Sequence, residues 1–261
     1  MKRLIFFISL LISFEAAAQE PSEEFLQKLD SIGATDSTAQ AQMIYNKGVS
    51  QMEAHNYSEA ITSFNQVFNY DGDFALAYLN RGICYMELGS FDKAIGDLKS
   101  GLEKDTKLHL AHYEMGVIYE KENNPEDAIA SYSEAIILNP KEAKYYYHRG
   151  LLVFQKEEYK KARDDFTVAV SLESNHAYAY NDRGSANLKL DDLEAAIADY
   201  KKATELDPKL DFAFNNLGSA LRKKGEFDKA IKAYNSAVLN KKDYYMAFNN
   251  RGLAKLGKKD Y

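Results

Sequence analysis

The sequence predicts an all-α protein, a solenoid of antiparallel helix pairs with a 34-residue period. Three observations predict it. Gly48, Gly82, Gly116, Gly150, Gly184, Gly218 and Gly252 stand 34 residues apart without interruption. Ala60, Ala94, Ala128, Ala162, Ala196 and Ala230 keep the same step. Apolar residues between these markers recur at helical spacing, as in Leu193, Ala196, Ile197, Tyr200 and Ala203. A fixed period of this length marks a stacked repeat array.

The elements follow in chain order. Met1-Lys2-Arg3 is a short basic start, Leu4 to Phe14 a mostly apolar run, and Glu15-Ala16-Ala17-Ala18 a stretch of small residues ahead of Gln19. This layout predicts a secretory signal peptide over residues 1–18, cleaved after Ala18. The apolar run is shorter than the roughly 20 residues that a membrane-spanning helix needs. No later segment reads as a membrane span. The expectation is export across the inner membrane, to the periplasm in a two-membrane bacterium. Residues 19–40 hold Pro21, Ser22, Gly33, Thr35 and Ser37 and read as a linker. Phe25, Leu26 and Leu29 within it suit a short docking helix.

The array runs over 41–261. With each periodic glycine at position 8, its units are 41–74, 75–108, 109–142, 143–176, 177–210 and 211–244, with a partial one at 245–261. Position 4 reads Ile44, Tyr78, His112, Tyr146, Tyr180, Phe214 and Phe248; position 24 reads Phe64, Leu98, Tyr132, Phe166, Tyr200 and Tyr234. Position 27 is Val67, Gly101, Ala135, Ala169, Ala203 and Ala237. Leu190-Asp191-Asp192 breaks one apolar stripe, and Asn124-Pro125-Glu126-Asp127 has the capping Asn, early Pro and acidic first turn of a helix start. Each unit is therefore two short helices, A and B. Small residues at 8, 20 and 27 let the backbones approach, and a bulky residue at 24 fills the space between. One such hairpin cannot bury its own apolar face, so neighbours stack. The seventh unit supplies helix A, Tyr245 to about Gly257, and stops at position 17. This reads as truncation or as an end covered by another chain. It leaves open that the array is the N-terminal docking or sensing region of a longer protein, such as a signalling receptor or transferase.

The pattern of an aromatic at 4, Gly at 8, Ala at 20, an aromatic at 24, Ala at 27 and Pro140 and Pro208 at 32 resembles the tetratricopeptide repeat family over Ala41 to Tyr261. The resemblance implies a right-handed superhelix whose A helices line a concave groove for extended peptides or partner helices. It also implies that positions 2, 5, 6, 9, 12 and 13 face that groove. Position 5 is Tyr45, Leu79, Tyr113, Tyr147, Asn181, Asn215 and Asn249; position 9 is Val49, Ile83, Val117, Leu151, Ser185, Ser219 and Leu253. The expected groove is aromatic and aliphatic in its first half and carries amides and hydroxyls in its second. Position 6 adds Asn46, Asn80, Asn216 and Asn250, interrupted by Glu114, His148 and Asp182. This asparagine ladder resembles the one in the peptide-holding superhelix of O-linked N-acetylglucosamine transferase. An amide both donates and accepts, so it can satisfy a peptide backbone. The opposing expectation is that these amides bond within the array, since buried amides need partners. Glu53, Glu87 and Glu120 lie toward one part of the rim and Lys189, Arg222 and Lys223 toward another, which suits a partner basic at one end and acidic at the other. Chaperone-type carboxylate clamps of the family use Lys at position 5 with Asn or Arg at position 9. This chain has neither, which disfavours that ligand.

A second pattern lies inside the units. Arg81, Arg149 and Arg183 at position 7 coincide with Asp97, Asp165 and Asp199 at position 23. Where position 7 is Met115 or Leu217, position 23 is Ser131 or Ala233, and Lys47 goes with Ser63. The coincidence predicts a structural Arg–Asp bridge from helix A to helix B, with Arg251 left without one.

Composition narrows function by exclusion. With 33 basic against 39 acidic residues the net charge is -6, unlike a general nucleic-acid binder, which needs a basic face. A single cysteine, Cys84, excludes a multi-cysteine metal site and reads as a small buried residue. His109 and His112 form an i, i+3 pair with no further ligand beside it. No catalytic cluster and no phosphate-binding glycine loop is present in the sequence, so no cofactor or metal is expected. The function expected is a non-catalytic scaffold of the cell envelope that binds a protein or peptide.

Overall fold

The computed structural model describes residues 37–258; the signal peptide and most of the linker read above lie outside them. Thirteen helices make up the described residues, with no strand among them: α1 (Ser37–Glu53), α2 (Tyr57–Val67), α3 (Ala75–Glu87), α4 (Phe91–Lys104), α5 (His109–Lys121), α6 (Pro125–Leu138), α7 (Ala143–Gln155), α8 (Tyr159–Leu172), α9 (Ala177–Lys189), α10 (Leu193–Leu206), α11 (Asp211–Lys223), α12 (Phe227–Asn240) and α13 (Tyr245–Lys258). Odd-numbered helices are the A helices. Among the described residues the first already includes Ser37 to Gln40, ahead of the boundary read at Ala41.

Two compact units divide the chain, one ending at Ile118 and the other starting at Tyr119. In the first, α1 pairs with α2 and α3 with α4, and α3 also packs on both members of the first hairpin. Its core gathers Ala41, Ala60, Phe64, Val67, Ala77 and Cys84. In the second, each helix from α6 packs on the next, and α7, α9, α11 and α13 also touch in sequence as A helices. Tyr132, Tyr145, Phe166, Tyr200 and Tyr234 are its largest fully buried side chains.

The turn from helix A to helix B is built one way in each of the six full repeats. Position 15 takes a left-handed conformation, as His55 (φ 60°), Gly89 (73°), Asn123 (56°), Glu157 (62°), Asp191 (63°) and Gly225 (85°). The next residue's N–H reaches back to the carbonyl of position 11, as in Ser90 to Tyr85 and Asp192 to Asn187. This is a Schellman end, which closes the helix and satisfies its last carbonyls. Only Gly89 and Gly225 lack the Cβ that makes this conformation costly.

Packing across the hairpin explains the period-setting glycine. A Cβ on Gly218 would lie 2.6 Å from Cε1 of Tyr234, inside the ring that fills the hairpin. The hydroxyl of a buried tyrosine at position 24 must also find an acceptor. Tyr200 donates to Ser185 Oγ (3.1 Å) and Tyr234 to Ser219 Oγ (3.2 Å). Tyr132 donates to Glu120. Where position 24 is Phe64 or Phe166, position 9 is Val49 or Leu151. The two serines expected to line a groove therefore serve the core.

Candidate partner-binding face

Successive A helices are tied together by rungs that join residues 35 apart. In the first unit Asn80 Nδ2 donates to Tyr45 Oη at 2.9 Å. In the second, Tyr147 donates to Asp182 Oδ2 (2.9 Å), Asn216 Nδ2 to Asn181 Oδ1 (3.0 Å) and Asn250 Nδ2 to Asn215 Oδ1 (3.0 Å). Each rung links position 5 of one repeat to position 6 of the next. Two facing amides can share one hydrogen bond and bury the rest of their surface, so the ladder holds helix to helix.

The rungs decide which of the groove residues read from the sequence are presented. Leu79, Asn80, Asn181 and Asn215 are less than a tenth exposed, so they do not line an open surface. The reason is their position between two A helices, where the neighbour covers them. Tyr45, Tyr113, Tyr147, Asn216 and Asn250 are half-buried, while Asn46 and Asn249 are exposed. Tyr45 stacks on Phe74 with ring centroids 4.8 Å apart. Tyr147 lies 4.6 Å from the ring of His176, whose Nδ1 accepts the Ala179 N–H and caps α9.

Position 2 of the A helices also contributes exposed apolar residues. Leu76 on α3 is 43% exposed, Tyr178 on α9 49% and Met246 on α13 61%. The Tyr178 and Phe212 rings sit 5.7 Å apart. Position 2 lies one turn before the rungs on the same helix face.

Asp182 is the charged member of the ladder. Burial pushes its carboxyl above the usual range, against the hydrogen bonds from Asn181 and Tyr147 and the charge of His176. A carboxyl raised on folding weakens the fold as it ionises. Its burden grows as the pH climbs from the ordinary carboxylate range, about 4, through the raised value. Asp182→Asn is therefore expected to raise the melting temperature at pH 7, with the gain disappearing below about pH 4. Equal melting of both proteins at every pH would contradict this. Glu120 shows the opposite balance. Burial works to raise it, but the hydrogen bonds from His148 (3.2 Å) and Tyr132 outweigh that and hold it below the usual range.

The Arg–Asp pairs form bidentate bridges within their units. Arg81 Nε and Nη2 reach the two Asp97 oxygens at 2.7 and 2.6 Å. Arg149 reaches Asp165 at 2.9 and 2.7 Å, and Arg183 reaches Asp199 at 2.9 and 2.6 Å. The third edge of Arg81 donates to Asn65, that of Arg149 to Ser133 and that of Arg251 to Asn235, each at position 25 of the preceding repeat. Among the described residues no carboxylate reaches Arg251. These bridges join helix to helix and are structural.

Cys84 is buried in the first unit, and desolvation pushes its thiol up to about 12, where little thiolate exists at neutral pH. Among the described residues no group of three or more His, Cys, Asp and Glu side chains is placed to share a metal ion. No described helix is long and apolar enough to cross a membrane.

Three family models described as tetratricopeptide repeat match residues 45–107, then 109–142 and 177–210, then 199–232. The chain belongs to the tetratricopeptide repeat family. No curated protein matches it. Among solved structures, YrrB, described as a TPR protein with an unusual peptide-binding site, is 22% identical with a TM-score of 0.66; the match covers 72% of this chain and 97% of YrrB. MamA is 28% identical with a TM-score of 0.59, covering 62% of this chain and 94% of its own. PilF of Pseudomonas aeruginosa is 19% identical with a TM-score of 0.60, covering 71% of this chain and 85% of its own. At 22% and 19% identity, YrrB and PilF share the tetratricopeptide fold with this chain. The helix pairs and periodic glycines described above are those of tetratricopeptide repeats.

Proposed function

We propose that this protein is a non-catalytic interaction scaffold of the cell envelope. It holds a partner peptide or helix against the A-helix face of its repeats. The observation that carries this reading is the exposure of Tyr178 and Met246 at position 2 in the second unit, with the half-buried Phe212 in register between them, beside a ladder whose own polar groups are already bonded. An exposed aromatic with apolar neighbours on a rigid support suits anchoring of a partner's apolar residues. YrrB, a neighbour in fold, is described as having a peptide-binding site, which agrees with such a use. The envelope location rests on residues 1–18 and their signal-peptide layout.

Capture from envelope extract by the exported chain tests the reading. Tyr178→Ala/Phe212→Ala should lose its partner by about tenfold or more in affinity, the size expected when aromatic anchors are truncated. Identical captured proteins at identical yield would refute it. The mass of the exported chain should correspond to a start at Gln19.

A further inference from the structure

The second unit contains five arginines: Arg149, Arg163, Arg183, Arg222 and Arg251. Four of them donate to a neighbouring side chain, respectively Asp165, Asp164, Asp199 and Asn235. Arg222 is the exception. Its Nε is buried with no acceptor, and no carboxylate among the described residues pairs with its guanidinium. Few buried donors in native proteins are left this way, and each calls for an explanation.

The acids on the neighbouring A–B turns are already engaged. Asp191 holds Lys223 at 2.7 Å, Glu194 holds Lys224 at 2.7 Å, and Glu226 holds Lys224 and Lys229. The polar side chains ahead of Arg222 on its own face of α11 are engaged as well. Ser219 donates to the Asn215 carbonyl and accepts from Tyr234, and Asn215 accepts from Asn250. Asn215, Ser219 and Arg222, spaced four and three residues apart, share that face. It is the face that carries the rungs. In register, Arg222 stands at position 12 between Leu188 of α9 and Leu256 of α13, the latter 54% exposed.

We propose that Arg222 is a binding residue for the carboxylate of an acidic peptide side chain flanked by apolar residues. The inference rests on the reading that the A-helix face holds a peptide, and it names the charge of that peptide at one place. A guanidinium fork matches a carboxylate with two parallel hydrogen bonds. The leucines on either side in the register suit apolar neighbours of the acid, not a run of phosphates. The chain's net charge of -6 also opposes a polyanion.

The test uses the exported chain and fluorescein-labelled octapeptides, each carrying one Glu among Leu, Phe, Ser and Asn, with twins that carry Gln instead. Some Glu peptide should bind at least about tenfold more tightly than its Gln twin, as a charge-assisted hydrogen bond would give. Arg222→Gln should erase that preference while still binding the Gln twin. Equal binding of both twins by the unaltered chain would overturn the role of Arg222 and leave the peptide-binding face standing. No binding by any peptide would overturn both. Arg222→Met supplies an independent readout. Loss of an unsatisfied buried donor should leave its melting temperature unchanged or higher, whereas a marked fall would make Arg222 a structural residue and end the proposal.

Discussion

Phe166→Ala is expected to cost the second unit about 3–5 kcal/mol of stability, the range for truncating a fully buried aromatic. Phe166 is completely buried on α8 and packs with Val153, Ala162 and Ala186. Its ring lies against Gly150, where an added Cβ would come within 2.7 Å of Cε1. The opposing backbone is held by a hairpin on one side and a neighbouring repeat on the other, so it cannot collapse onto the space left behind. Urea unfolding followed by helical circular dichroism measures the loss. A value under about 1 kcal/mol would mean that the hairpin repacks. Phe166→Tyr should also destabilise, because Leu151 at position 9 offers the new hydroxyl no acceptor of the kind that Ser185 gives Tyr200. Tyr200→Phe, which removes only the donor, should be the milder change.

Asp199→Ala should cost a similar amount, about 3–5 kcal/mol, by removing one partner of a largely buried pair. Asp199 is 5% exposed and accepts from Arg183 through both oxygens; Oδ2 also accepts from Asn187 Nδ2 at 2.9 Å. Its removal strands a guanidinium and an amide together. The double variant Arg183→Met/Asp199→Ala should recover much of the loss, because the charge that needed the carboxylate goes with it. A double-variant cycle by equilibrium unfolding decides the matter. Purely additive losses would show that water screens the bridge as it does a surface pair.

The bridges were legible in the sequence because both partners belong to one unit, 16 residues apart, and arginine and aspartate come and go together there. The hairpin brings any such pair face to face. Hydroxyl placement was not legible: Ser185 and Ser219 read as groove residues but accept from Tyr200 and Tyr234, while Tyr132, with Val117 at position 9, donates to Glu120 instead. The left-handed residue at position 15 was hidden in four of six turns, since His55, Asn123, Glu157 and Asp191 carry no glycine signal. There the Schellman geometry of the helix end imposes a conformation that Asn123 and Asp191 tolerate and Glu157 does not prefer.

The sequence by itself determined the period, the hairpin and the residues that fill it, because apolar burial at fixed spacing leaves one way to stack such units. Tertiary structure alone decided the use of the asparagines. Asn80, Asn181 and Asn215 bond a neighbouring A helix, and the buried Nε of Arg222 meets no acceptor among the described residues. An amide on a helix face can serve the next helix or a ligand equally well. The choice depends on how far each A helix is turned against its neighbour, a rotation that spacing along the chain does not encode.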